Sequence, residues 1–166
     1  MGDPLFELYR LDEELSREQV IAELAASPAR VRDIVAGRAA AELERRASDG
    51  WSPIEVCRHL RDAIQVYGMR FKWMILDRDP FLPNYDEDRW VAESPDRADD
   101  IEAVLREMDA YRAETVRLLA GLADDGWSRR GRHELSGEVV LEPYVRHELA
   151  HERQHLSQLR RAFGEA

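Results

Sequence analysis

Apolar residues recur along this chain at the three- and four-residue spacing of helices that bury one face. The first stretch opens at Ser16–Arg17–Glu18 and sets Val20, Ile21, Leu24, Val31, Ile34 and Val35 on one side, with Gly37 as its stop. Ser27–Pro28 interrupts it, either as a kink or as a fresh start with Ser27 as cap and proline in the first turn. A short helix over 39–46 follows. The second long helix has the best-marked start in the chain, because Ser52–Pro53–Ile54–Glu55 joins a capping serine, a proline at the first position and a glutamate at the third. It runs to about Asp77, with Val56, Leu60, Ala63, Ile64, Tyr67, Phe71, Met74 and Ile75 in phase. Residues 78–98 hold three prolines and many acids and read as a long connection. A third helix extends from Asp99 or Asp100 to Leu122, carrying Ile101, Val104, Leu105, Met108, Tyr111, Leu118 and Leu119. Residues 123–140 read as an irregular loop with room for a small hairpin, and the last helix starts near Leu141 with Pro143 in its first turn. Residues 1–15 show no period and read as an N-terminal arm.

Four amphipathic helices give an all-α class. A connection of about 20 residues can run the length of a bundle, so helices two and three are expected to be parallel, in an up-down-down-up four-helix bundle. At 166 residues the chain fits one domain, 1–166, large enough to bury its core without disulfides.

The formal net charge of −10 and pI near 5.0 argue against nucleic acid as a partner. Of the 24 basic residues all but Lys72 are arginine, scattered along the chain rather than gathered into a binding segment. The single cysteine, Cys57, has no internal partner, which fits a reducing cytoplasm. No N-terminal apolar run resembles a signal peptide and none approaches 18 residues, so a cytoplasmic protein with no membrane partner is expected.

The chemistry gathers in Tyr144–Phe163, where His147, His151 and His155 follow at four-residue intervals. On a helix, His151 and His155 differ by about 40° and their Cβ atoms lie roughly 5–6 Å apart. Measured from His151, the apolar residues Leu141, Tyr144, Val145, Leu149, Leu156, Leu159, Ala162 and Phe163 cover an arc from about 20° to about 160°. His155 and Glu148 point into that arc, Glu152 points at its middle and His151 borders it. Ionisable groups facing a core need partners. A metal ion is one such partner, and a hydrogen-bonded network at the edge of the core is another. HExxH occurs twice, as HELAH and HERQH, the pattern of zinc peptidases. Those enzymes take a further ligand downstream, yet the eleven residues after His155 include no histidine and only Glu165 as an acid. His147 and His155 are separated by about 12 Å of helix rise, too far for one ion, which leaves His147 beside the site or on the surface. A third donor must come from upstream. His59 borders the apolar arc of helix two, where it is either that donor or a surface histidine covering its neighbours. His133 falls in the 123–140 loop.

Trp51–Ser52–Pro53–Ile54–Glu55–Val56 followed by His59–Leu60, with His151-x3-His155 and the trailing Leu156–Ser157–Gln158–Leu159, resembles the DinB/YfiT-like superfamily over roughly 17–163. The resemblance implies a divalent metal, nickel or zinc, held by His59, His151 and His155, and a homodimer. It also implies activities among thiol-dependent S-transfer, thiol-dependent isomerisation and hydrolysis.

Three neutral imidazoles leave an ion with open positions, as in catalytic sites, and the resemblance implies a small-molecule S-transferase using a low-molecular-weight thiol as the leading expectation. The alternatives are a hydrolase of a small amide or ester and, in another class, a non-catalytic metal- or ligand-binding module. Glu152, Glu148 and Asp62 are candidates to orient a ligand histidine or move a proton, Glu152 first because it points at the core. Tyr85, Trp90 and Trp127, on the two irregular stretches, are candidate walls of a substrate pocket or simple loop anchors.

Overall fold

A computed structural model describes residues 14–46, 50–95 and 100–165. The expected arm over 1–15 lies outside them but for its last two residues. Helix α1 spans Arg17–Val35, α2 Ala40–Leu43, α3 Pro53–Leu76, α4 Glu87–Glu93, α5 Ile101–Ala120 and α6 Leu141–Ala162. Three short strands accompany them: β1 Phe81–Leu82, β2 Arg130–His133 and β3 Gly137–Val140.

The helix starts are set locally. Ser16 Oγ accepts from the Gln19 amide at 3.2 Å while Gln19 Oε1 accepts from Ser16 N at 2.8 Å, a reciprocal cap for α1. Ser52 N donates to Glu55 Oε2 at 2.7 Å at the head of α3, and Asp100 Oδ1 accepts from Ala103 N at 2.8 Å at the head of α5. The Ser27–Pro28 ambiguity resolves as one continuous helix with the proline inside it. At its far end, Gly37 adopts φ 71°, the left-handed turn that ends helices.

Helix α1 packs against α5, α5 against α3, α3 against α6 and α6 against α1, leaving α1 opposite α3 and α5 opposite α6 across the diagonals. Cross-helix pairs give the directions. Arg17 meets Glu142 and Glu23 meets Arg153, so α1 and α6 are parallel. Arg61 meets Glu107 and Lys72 meets Glu114, so α3 and α5 are parallel too. His59 meets His151 while Arg70 meets Tyr144, which makes α3 and α6 antiparallel. The bundle is up-down-down-up, as expected from the long second connection.

That connection is less irregular than its sequence suggests. It contains β1, which pairs in parallel with β2 through Phe81↔Arg132 and Leu82↔His133, and the short helix α4. A two-residue strand has no period to read, and its partner lies about fifty residues away. β2 and β3 form the antiparallel hairpin anticipated within 123–140, and β3 runs directly into α6. His133, placed by its sequence in a loop, sits buried on β2 with Nδ1 accepting from the Leu135 and Ser136 amides at 3.3 Å.

The apolar core falls into two clusters. One gathers Val20, Leu24, Tyr67, Phe71, Leu119, Trp127, Tyr144 and Leu149, and the other Val31, Ile34, Leu60, Val104, Met108, Leu156 and Leu159. On α1, α5 and α6 the residues between these clusters are polar: Ser27, Arg112, Thr115, Glu148, His151 and Glu152, all buried. A polar layer therefore crosses the bundle at mid-height. No helix among the described residues is long and apolar enough to cross a membrane.

The parallel pair α3/α5 approaches closely at Gly68, where an added Cβ would lie 2.6 Å from Thr115 Oγ1. Alanine is the better helix former by about 1 kcal/mol, but crowding a packed contact costs about 1–3 kcal/mol. Gly68→Ala is therefore expected to destabilise the parent by about 1 kcal/mol and to stabilise a Thr115→Ala background. Urea unfolding of the four proteins checks this, and equal effects in both backgrounds would show that the contact does not constrain the helices.

Candidate metal centre

His59 reaches the site from the second turn of α3, and His151 and His155 from successive turns of α6. His151 Nε2 lies 3.0 Å from His59 Nε2 and 3.2 Å from His155 Nε2. Among the described residues these three form a group whose ligand atoms all lie within 4.8 Å of one another. Nitrogens each about 2.1 Å from one ion are separated by about 3.0–3.4 Å for octahedral to tetrahedral angles, so the two short contacts match the span of a coordination shell. Proton counting points the same way. The Gln158 carbonyl oxygen lies 2.8 Å from His155 Nδ1, so that nitrogen carries the proton and Nε2 presents a lone pair inward. His151 Nε2 faces two neighbouring nitrogens and could donate to at most one of them. A cation at the point of convergence satisfies all three lone pairs together.

Burial keeps the rings neutral, as ligands must be. His59 is pulled down to about 3, chiefly by desolvation and then by His155. His151 falls well below its ordinary range for the same first reason, with its three histidine neighbours adding to it, and His155 is lowered as well. Trp51 covers the cluster, its ring 4.9 Å from that of His59 and stacked 6.3 Å from that of His155.

The family model of the DinB superfamily matches residues 23–159. The chain belongs to the DinB superfamily. A candidate metal-dependent hydrolase of Bacillus mycoides is 28% identical over 127 residues, covering 69% of this chain and 73% of that protein. One of Oceanobacillus iheyensis is 23% identical over 124 residues, covering 74% and 71%. The solved structure of YfiT from Bacillus subtilis, described as a candidate metal-dependent hydrolase with an unusual four-helix bundle topology, matches with TM-score 0.83. It is 25% identical and covers 95% of each chain.

The other residues singled out from this DinB-superfamily sequence fall in different places. His147 is neither exposed nor part of the ligand group. It is buried with Nδ1 2.9 Å from Tyr67 Oη, because the buried arc of α6 extends about 40° past His151 on the side facing α3. Glu148 and Glu152 point into the bundle, where a single guanidinium nitrogen of Arg112 donates to both, to Glu148 Oε1 at 2.8 Å and to Glu152 Oε1. Burial raises both carboxyls above the usual range against the pull of Arg112. Asp62 is held by Arg61 at 2.9 Å and lines a cleft of about 460 Å³ with Gln65, Arg89 and Trp90. Tyr85 packs on Trp90 with ring centroids 4.7 Å apart. Trp127 belongs to the core beneath Arg17 and lines a groove between α1 and α5, the helix pair that carries none of the three histidines.

The sequence alone gives no site role to Trp51, Gln158, Tyr67 or Arg112. Arg112 has a signal: it stands in line with Leu105, Met108 and Leu119 of α5, where an unpaired cation would be intolerable.

The lowered ring values carry a sign. The unfolded chain takes up protons near pH 6.5 while folded His59 stays neutral to about pH 3, so its contribution to stability is full above 6.5 and lost as pH falls toward 3. In the metal-free protein the His59 and His151 rings are expected to remain neutral from pH 8 to pH 5 in proton–nitrogen correlation spectra. A midpoint near 6.5 for either ring would show that it faces solvent.

Proposed function

We propose that this protein is a divalent-metal-dependent enzyme acting on a small molecule, with His59, His151 and His155 as the ligands of zinc or nickel. Hydrolysis of an amide or ester is the leading reaction. The observation that carries the reading is the convergence of three neutral histidine Nε2 atoms, with two of the contacts at 3.0 and 3.2 Å. The names of the Bacillus and Oceanobacillus relatives support hydrolysis over other chemistry.

When bound, the ion would supply Lewis-acid chemistry and activate water or a thiol at neutral pH. The chain's own residues prepare that site. Gln158 holds the proton on His155 Nδ1 and aims its lone pair inward. Trp51 shields the ring faces of His59 and His155 from water. Asp62 and Trp90 line a cleft, with Tyr85 packed on Trp90, that none of the three histidines lines. Glu148 and Glu152, engaged by Arg112, orient α6.

A second reading, S-transfer with a low-molecular-weight thiol, rests on the family resemblance. The chain's own thiol does not serve it, because Cys57 is fully buried and burial pushes its pKa up to about 12. The homodimer that the resemblance implies belongs to the same proposal and is read by sedimentation.

Elemental analysis of tag-free protein should find about one zinc or nickel ion per chain in the parent and a loss of at least tenfold in occupancy in His59→Ala and His151→Ala. Equal, negligible metal in all three would end the ligand assignment. On the loaded parent, a panel of esters and amides is set against thiols with model electrophiles. Turnover only with thiol selects S-transfer, and bound metal without turnover selects a binding module.

A further inference from the structure

We propose that Arg112 is a positioning residue of the histidine site: by tying Glu148 and Glu152 to α5, it fixes the rotation and height of α6 at which His151 and His155 meet His59. The inference rests on reading the three histidines as metal ligands.

Helices α5 and α6 stand across the diagonal of the bundle, yet Arg112 reaches from one to the other with both partners fully buried. The two carboxylates bracket His151 on its own helix, one three residues before it and one directly after. A guanidinium that contacts both therefore resists rotation of this turn about the α6 axis and sliding along it. The anchor is itself fixed, since α5 is clamped to α3 by Arg61–Glu107 and by the close approach at Gly68 and Thr115. The path from His59 through α3, α5 and Arg112 to the turn holding His151 is thus closed by directional contacts.

Stability is a poor explanation for this triad. Replacing a buried ion group with apolar residues of similar volume is often neutral or stabilising. Here the group is also incompletely satisfied: Arg112 Nε and Nη1 are buried without a hydrogen-bond partner. Apolar clusters lie above and below it and could have continued through. A costly polar contact placed around a ligand-bearing turn is what setting the register requires, because apolar packing alone tolerates small rotations that a coordination shell does not.

The test compares the parent with Arg112→Lys and with the compensated triple variant Arg112→Met/Glu148→Leu/Glu152→Leu, using cobalt(II) as the probe. Affinity is read by competition with a chromophoric chelator, coordination geometry by the visible cobalt spectrum, and folding by helicity and cooperative unfolding. Val104→Ala, which loosens the packing of α5 away from the triad, is the control and should keep the parent's spectrum. The triple variant is expected to unfold at or above the parent's midpoint, to bind cobalt at least tenfold more weakly and to shift the cobalt bands. Arg112→Lys should fall between the two. A folded triple variant with affinity within twofold of the parent and an unchanged spectrum overturns the inference. So does a triple variant that fails to fold, since the triad would then serve stability. If the parent itself binds no cobalt, the ligand reading falls as well, which separates the two failures.

Discussion

A site built from three imidazoles on two antiparallel helices depends on the height at which those helices meet. His151 and His155 share α6 and come as a pair one turn apart, but His59 must arrive from α3 at the matching level. A slip of one turn, about 5.4 Å, would bring Glu55 or Ala63 to that level instead. Much of the bundle fixes this height. Ser52 and Glu55 define where α3 begins, the β2–β3 hairpin delivers the chain to Leu141 where α6 begins, and Tyr67–His147 and Arg70–Tyr144 repeat the α3–α6 match on the turns beyond the site.

The same constraint explains why the middle of the core is polar. Leucine and valine clusters pack with similar energy in several neighbouring arrangements, whereas hydrogen-bonded groups lose contact within about half an ångström. Ser27, Arg112, Thr115, Glu148, His151 and Glu152 place directional groups at the level where direction matters, and leave the apolar clusters to supply the bulk of the burial.

Much of this is legible in the sequence, because the relevant signals are local. Ser16, Ser52 and Asp100 mark helix starts through contacts three residues long, and the length of 78–98 announces that α3 and α5 run the same way. The pairing of His151 with His155 follows once helical phase is respected, whereas phase leaves His59 open and the family resemblance is what adds it to the pair. What escapes is information held by the partner helix. The aliphatic residues of α6 suggest a buried arc ending near His151, but a hydroxyl on α3, that of Tyr67, makes burial of His147 acceptable. Arg112 looks like a gap in an apolar stripe until two acids from the opposite helix are placed beside it. Trp51 precedes its helix, so periodicity says nothing about where its ring lies. β1 is too short to carry a pattern at all.

The order of the proposed ligands along the chain bears on synthesis. His59 and His151 are separated by 92 residues, and both donors of α6 lie within the final helix. On the reading proposed above, a nascent chain stopped anywhere before α6 carries one histidine of the three and can hold no ion tightly. Metal capture on this reading requires that α6 has docked, and an ion held by all three histidines reports that it has.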